Sequence, residues 1–370
     1  MNPGTKCACL SAAAAVVAGL AALLGPAGLR AGAVLKAHET VVLFPALGVR
    51  TNGGWEIEIR GCVYELKSRR FSAALLRKAV GLDDDEMTPA ERTLFRQRAR
   101  LLLADHKHGE RVSVRVAGQT LALGPSAHSG QFQGRVFVPD SAWPAPVAAP
   151  KSVDAVVIGS EAAASVPAGP VHLLPERGLS VVSDLDDTIK VSNVRDHREL
   201  MRNTFCRPFR PVPGMAELYQ KWAGERDARF HYVSASPWQL FDVLREFLST
   251  SGFPAGSLHL RNFRLEDGSV LALWKSPEQY KLKAIEPLLN RFPARQFVLV
   301  GDSGERDPEA YAALARRHPQ QVVRVLIRDV TGETSDAPRY RRLFSGLPAE
   351  LWRVFQEPSS VEDALPSPSR

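Results

Sequence analysis

The chain has 370 residues, 45% of them apolar and 24% charged, with a formal net charge of +7. This composition supplies a core and excludes a chain that is disordered, collagen-like or polytopic as a whole; four cysteines at this length exclude a disulfide scaffold. The basic excess is spread as +2, +3 and +2 over residues 1–33, 34–180 and 181–370, with no dense Lys/Arg block, so it is no nucleic-acid footprint. It is compatible with an anionic substrate or a membrane surface and demands neither. At roughly 150 residues per domain, the length predicts two or three domains.

The first 33 residues read as an address. Lys6 precedes an apolar run from Ala8 to Leu24, Gly25-Pro26 breaks it, and Ala31-Gly32-Ala33 fits a small-x-small cleavage pattern. The run is near the lower limit for a membrane span, so a cleaved signal and a short uncleaved anchor both fit. Either predicts an exported protein, periplasmic or secreted. Cleavage after Ala33 leaves Cys62 and Cys206, which either pair in an oxidising compartment or stay as two buried apolar residues.

Residues 34–170 read as a β-rich, sandwich-like domain. Trp55, Ile57 and Ile59 alternate with Glu56, Glu58 and Arg60, and Val112, Val114 and Val116 repeat the period of two. Gln131–Val138 and Ala155–Ile158 are further strand candidates. Thr88-Pro89-Ala90-Glu91 opens one helix with a capping box and a first-turn proline. The Ala/Pro-rich stretches 141–150 and 161–170 read as loops or a linker.

Over residues 171–355 the pattern changes to short apolar runs, each closed by a polar cluster and followed by a helix. Runs at 179–182, 230–233, 297–300 and 322–327 alternate with helices expected at 214–223, 237–250, 278–291 and 308–318. This order predicts an α/β, Rossmann-like fold with a parallel sheet, whose strand carboxyl ends bind ligands. Residues 356–370 read as a disordered tail.

The chemistry lies at those strand ends. Asp184 and Asp186, two residues apart in Asp184-Leu185-Asp186-Asp187-Thr188, can share one side of a strand end. Two such carboxylates repel unless a proton or cation relieves them, and a hard divalent ion such as Mg2+ takes this kind of oxygen ligand. One carboxylate can then attack phosphorus while the other moves the leaving-group proton. The plainer alternative is a polar exit from the strand, with Asp187 and Thr188 bonding the local backbone.

Three more motifs follow in order: Ser234 after Phe-His-Tyr-Val, Lys281 near a helix start, and Gly301-Asp302-Ser303-Gly304-Glu305-Arg306-Asp307. The set resembles the haloacid-dehalogenase-like hydrolases. Over about residues 170–330, Ser-Asp-Leu-Asp-Asp-Thr-Ile-Lys-Val-Ser, Arg-Asn-Thr-Phe-Cys-Arg-Pro-Phe, Tyr-Val-Ser-Ala-Ser-Pro-Trp-Gln-Leu and Gly-Asp-Ser-Gly-Glu-Arg-Asp-Pro-Glu resemble the catalytic domain of the actin-patch-associated phosphatidate phosphatase family. That resemblance implies Mg2+-dependent conversion of phosphatidate to diacylglycerol and phosphate. It implies Asp184 as nucleophile and metal ligand, and Asp186 as general acid/base with its backbone carbonyl on the metal. Thr188 would steady the loop and Ser234 would bond a phosphoryl oxygen. Lys281 would neutralise charge, Asp302 would bind the metal and Asp307 would support it.

Several residues have a second reading. Ser236-Pro237-Trp238-Gln239 reads as a capping box, which makes Ser236 structural. Asp307-Pro308 is a good helix start, so Asp307 serves the helix, the metal, or both. Lys275 and Lys283 rival Lys281, and Pro287 predicts a kink in that helix or an earlier start. Arg202 and Arg207 are candidate substrate-binding forks, with a solvated or salt-bridged role as the alternative. Phe205 and Phe209 read as core or as acyl-chain contacts. For the whole chain, the alternatives are a phosphatase for a soluble phosphomonoester and a non-catalytic binding protein with a relict hydrolase domain. No nucleic-acid partner is expected, and protein partners are left open.

Overall fold

Alternation of apolar and polar side chains builds the first part of the chain into strands, as the computed structural model shows for residues 36, 38–66, 70–143, 151–159, 166–262 and 277–366. Residues 1–33, expected as a leader, lie outside the described residues, as do Lys275 and the last four residues. Strands β1 (Thr40–Leu43), β2 (Ala46–Thr51) and β3 (Gly54–Glu65) lead into helices α1 (Arg70–Ala79) and α2 (Pro89–Leu102). Strands β4 (Asp105–His106), β5 (Val112–Val116), β6 (Gln119–Leu123), β7 (Gln131–Pro139), β8 (Ser152–Ile158) and β9 (Gly169–Leu174) follow. They form one sheet in the order β1-β3-β2-β9-β8-β5-β6, with β4 and β7 also paired to β3. Pairing is antiparallel except between β2 and β9. Trp55, Ile57 and Ile59 face a core shared with Val114, Val157 and Val171, while Arg60 is exposed, as the period of two predicts. Strands from both ends of the sheet fill that core. The sheet runs through Leu174, past the boundary at residue 170 that composition suggests.

Helix α2 forms where its cap says. The Thr88 hydroxyl accepts from the Glu91 N–H at 3.2 Å, and the Glu91 carboxylate accepts from the Thr88 N–H at 2.9 Å. Such a box is worth about 1 kcal/mol. Helix α1 carries no acidic residue in its first turn and no readable cap, which is why its sequence gives little sign of it.

The second part is a parallel sheet, built from β10 (Leu179–Asp184), β11 (Arg229–Pro237), β12 (Gly256–Arg261), β13 (Gln296–Asp302), β14 (Val322–Arg328) and β15 (Trp352–Phe355). Their order is β12-β11-β10-β13-β14-β15, all parallel. Helices α3 (His197–Phe205), α4 (Met215–Arg226) and α5 (Phe241–Thr250) pack on the face carrying Val181, Val298 and Val300. Helices α6 (Pro277–Arg291), α7 (Asp307–Arg317) and α8 (Pro338–Leu343) cover the face carrying Val182, Phe297 and Leu299. Strands buried on both faces read as continuous apolar runs, which is how the sequence announces them. The chain's order reverses between β10 and β13, so the ligand crevice belongs at their carboxyl ends.

Two local expectations, the tail and the Ser236 cap, are corrected here. Residues 358–366 are not a disordered tail: Val361, Ala364 and Leu365 are buried against the α4 face, and the Trp222 indole donates to the Glu362 carbonyl at 3.0 Å. Their Pro and Ser content masked three apolar anchors. Helix α6 runs unbroken through Pro287, which is exposed. The lost backbone bond costs about 3 kcal/mol, offset by Ile285, Leu288 and Leu289 buried on the sheet. Ser236 caps no helix, because β11 continues to Pro237 and a short 3-10 turn at 238–240 precedes α5.

Candidate active site

Strand β10 is buried along its whole length and delivers Asp184, 1% exposed, to the crevice beside Asp302 of β13, which is fully buried. The turn after β10 is stapled by Asp187, whose φ is +52°. Its carboxylate accepts from the N–H groups of Ser192 at 2.8 Å, Asn193 at 2.9 Å and Val194 at 2.6 Å. Asp187 thus does the local backbone bonding that the plainer reading gave it. Thr188 is buried with its hydroxyl 3.4 Å from Asp184 Oδ2, which holds the loop against the carboxylate.

Asp186 points into a separate polar nest. Lys190 Nζ lies 2.7 Å from its Oδ1, and Ser192 Oγ donates to the same oxygen at 2.7 Å. Ser234 Oγ donates to Oδ2 at 3.0 Å, and Ser236 Oγ stands at 3.4 Å from it. Burial alone would raise the Asp186 pKa. The Lys190 charge and the bonds from Lys190, Ser192 and Ser234 outweigh burial and hold the carboxyl below its ordinary value. Lys190 is itself 1% exposed and sits over the Phe209 ring at 4.8 Å. Ser236, read as a helix cap, is therefore a neighbour of Asp186.

The other half of the site is an acidic cluster around one cation. Lys281, 0% exposed, faces Asp184 Oδ1 at 3.0 Å, Glu305 Oε2 at 3.1 Å and the Asp307 carboxylate. Lys283, its rival among the described residues, is exposed, two residues further along α6 and so on a different face. Asp307 is the first residue of α7 but makes no cap; it accepts from the Asp302 N–H at 3.2 Å and holds Lys281. Asp302 Oδ1 accepts from the N–H groups of Gly304 at 2.6 Å and Glu305 at 3.1 Å, while its buried Oδ2 has no partner among the described residues. Gly301 is required here, since a side chain would collide with Asp307.

Burial raises the pKa of Asp184, Asp302, Glu305 and Asp307; neighbouring carboxylates of the cluster add to it for the first three, and Glu309 does so for Asp307. Lys281 pulls all four back without fully compensating. Four carboxyls share one ammonium, so the cluster has a deficit of positive charge. Asp184, Asp302 and Glu305 each offer an oxygen, and those oxygens lie within 4.8 Å of one another. An all-oxygen donor set with an unpartnered buried carboxylate oxygen fits a hard divalent ion such as Mg2+. Asp184 and Asp302 belong to the set expected from the motifs. The Asp186 carboxylate pairs with Lys190, and the role expected of Asp186 at the metal belongs to its backbone carbonyl; the Asp307 carboxylate pairs with Lys281. Glu305, to which sequence reasoning assigned no role, joins the donor group. Lys190, Ser192 and Glu305 were each legible only as members of motifs, because the contacts that give them work are made in space.

Arg202 and Arg207 do not face the acidic cluster. Arg202 pairs with Glu91 of α2 at 3.2 Å, and Arg207 with Glu91 at 3.4 Å and Glu199 at 2.6 Å. They tie α3 to α2, so the substrate-fork reading gives way to the salt-bridged one. Phe205 is fully buried and packs edge-on against Phe95, 6.3 Å between centroids. Cys62 and Cys206 are free and buried, and burial pushes the Cys206 thiol up to about 11.

Comparison with known proteins bears on this segment. Residues 179–329 match the family model described as phosphatidate phosphatase APP1, catalytic domain. The chain is 33% identical over 175 residues to phosphatidate phosphatase APP1 of Saccharomyces cerevisiae, a match covering 46% of this chain and 29% of that protein. It is 29% identical over 167 residues to an uncharacterized protein of Schizosaccharomyces pombe, covering 44% and 27% respectively. The matched stretch is thus less than a third of either relative. Among solved structures, one described as a haloacid dehalogenase-like hydrolase of Burkholderia xenovorans LB400 aligns with a TM-score of 0.31 at 12% identity, over 50% of this chain and 96% of that one. Another, described as a β-phosphoglucomutase of Thermotoga maritima, gives 0.30 at 12% over the same shares. The family resemblance drawn from the motifs holds over residues 179–329.

Proposed function

We propose that this chain is a Mg2+-dependent phosphatase that works through an aspartyl-phosphate on Asp184 and hydrolyses phosphatidate to diacylglycerol and phosphate. The observation that carries the reading is the buried group of Asp184, Asp302 and Glu305 at the strand-order reversal, with Lys281 against Asp184. The family match over the same segment supports the substrate class. Bound Mg2+ would be held by Asp184, Asp302 and Glu305 and would offset phosphoryl-oxygen charge.

In the first half-reaction an Asp184 oxygen bonds to phosphorus as the phosphorus–alkoxide bond breaks, and Asp186 delivers a proton it has taken up to the leaving oxygen. In the second, Asp186 takes a proton from water as that water attacks the acyl phosphate, releasing phosphate and freeing Asp184. The ionised state in which Lys190, Ser192 and Ser234 hold Asp186 suits the second step. Ser234, buried beside Asp186, would bond a phosphoryl oxygen on releasing Asp186 Oδ2, to which its hydroxyl donates at 3.0 Å. Export belongs to the same proposal and rests on the order of residues 1–33 alone.

The test is a substrate panel. Phosphatidate in mixed micelles should be turned over in preference to p-nitrophenyl phosphate and glycerol 3-phosphate, and EDTA should stop it. Asp184→Asn should release no phosphate while keeping the parent's far-UV circular dichroism. Equal turnover of the soluble esters would remove the lipid from the proposal; full activity of Asp184→Asn would remove the mechanism.

A further inference from the structure

A cavity of about 1250 Å³ lies between the β-rich sheet and the parallel-sheet domain. It exceeds the roughly 300–1,000 Å³ usual for small-ligand pockets. One wall carries Phe44 and Val49 from the first sheet; the other carries Leu260 at the end of β12 and Tyr280 and Ala284 on α6. All five are only partly buried, so each side of the cleft keeps apolar surface that no group among the described residues covers. Phe44 closes the floor edge-on against Trp238 and Phe241, at 5.9 and 5.2 Å between centroids. The charged residues Arg60, Arg135, Lys283 and Arg291 also line it, with Arg135 and Arg291 paired to Glu56 and Glu58.

The cleft is joined to the candidate active site through two of its own wall elements. Leu260 stands opposite Ser234 in the pairing of β12 with β11, one strand spacing of about 4.8 Å away. Tyr280 immediately precedes Lys281, and its hydroxyl donates to the His259 carbonyl at 3.1 Å, fixing α6 to β12. A substrate with its phosphoryl group between Asp184 and Ser234 therefore has an amphipathic cleft beginning beside the next strand.

We infer that this interdomain cleft is the acyl-chain site of the phosphomonoester substrate, so that the β-rich domain supplies half of the lipid subsite. The inference rests on the phosphatidate reading above and adds where the chains go. Each methylene withdrawn from water is worth up to about fourfold in affinity, so turnover at low substrate should climb with chain length until the cleft is full.

The experiment measures kcat/KM for glycerol 3-phosphate and for phosphatidates from dibutanoyl to dioctanoyl, all below their micelle concentrations. The full chain is compared with Val49→Trp and Ala284→Trp, which fill the cleft from opposite walls, and thermal melts confirm folding. The parent should favour the dioctanoyl over the dibutanoyl substrate, and each variant should lower that ratio at least tenfold. A dioctanoyl phosphatidate with a chain-terminal diazirine should photolabel β2 or α6 of Asp184→Asn. If the parent prefers long chains while both folded variants keep its ratio, or the label falls on α3 or α4, the cleft is not the site. If the parent shows no preference for any phosphatidate over glycerol 3-phosphate, the phosphatidate reading fails, and the acyl-chain site fails with it.

Discussion

Lys281 is the residue on which the acidic cluster depends. It is fully buried, and the carboxylates of Asp184, Glu305 and Asp307 face it. Removing one partner of a buried charge pair costs about 3–5 kcal/mol, because the other is left uncompensated. Lys281→Met should therefore lower the melting temperature markedly in EDTA, recover part of the loss in millimolar Mg2+, and lose phosphate release in both. The pH dependence follows from the same group. Asp184, Asp302, Glu305 and Asp307 have raised pKa values, so the metal-free folded chain binds more protons than the unfolded one between the ordinary carboxylate range and those raised values. Stability in EDTA should then fall as pH rises through that window and recover on mild acidification. Asp186, held low, acts in the opposite sense only as pH falls below the ordinary carboxylate range. Melting curves against pH, with EDTA and with Mg2+, check this: the slope should be negative in EDTA and flatten with the ion. At this scale the sequence was informative about Asp184 and Asp302, whose places at strand ends mark them, while it left Lys281, on a helix, with Lys275 and Lys283 as rivals. It was silent on Glu305 and Lys190, because a carboxylate's or ammonium's role depends on which oppositely charged group the turn brings to it.

At the scale of elements, α2 is more than an insertion. Arg98 on its buried face donates to the carbonyls of Thr204 at 2.6 Å and Arg207 at 2.8 Å, closing the end of α3, and its guanidinium lies over the Phe209 ring at 4.1 Å. Burial lowers its pKa to about 10, which still leaves it charged at neutral pH. From α3, Asn203 donates to the Ser192 carbonyl at 3.1 Å, and Ser192 bonds Asp186. A helix of the first domain thus braces the loop that holds Asp186. Arg98→Ala gives up two charge-assisted bonds to buried carbonyls, a loss of about 2–4 kcal/mol. It should lower kcat more than it changes KM, measured by urea unfolding alongside steady-state kinetics. The capping box made α2 legible, whereas α1, α3 and β12 were not anticipated. Helix α3 does carry a local signal, since Asp196 caps it by accepting from the N–H groups of Arg198 and Glu199; for α1 and β12 tertiary burial decides, and propensity alone is a weak guide there.

At the scale of the molecule, the boundary between the two domains is not a linker. Tyr64, Leu76, Phe95 and Leu102 of the first domain belong to the same apolar core as Leu185, Phe205 and Phe241 of the second. Composition points to a division near residue 170 because Ala- and Pro-rich stretches cluster there; it does not reveal that the surfaces on either side are apolar. A fragment beginning at residue 175 would expose that half of the core to water. It should be insoluble or bind a hydrophobic dye strongly, while the two-domain chain melts in one cooperative transition by calorimetry. Two separate transitions would show that the shared core is energetically minor.

The crowding at Lys281 also sets an order of exchange. An ammonium has three protons to give, and three carboxylates already stand against it. A phosphoryl oxygen gains a bond from Lys281 only when one of those partners withdraws. Asp184 and Asp307 are walled in, whereas the Glu305 side chain keeps 16% of its surface in solvent and sits in a loop. On the proposed reaction Glu305 would be the exchangeable valence of the site, and the substrate would bond to Lys281 by succession rather than by addition.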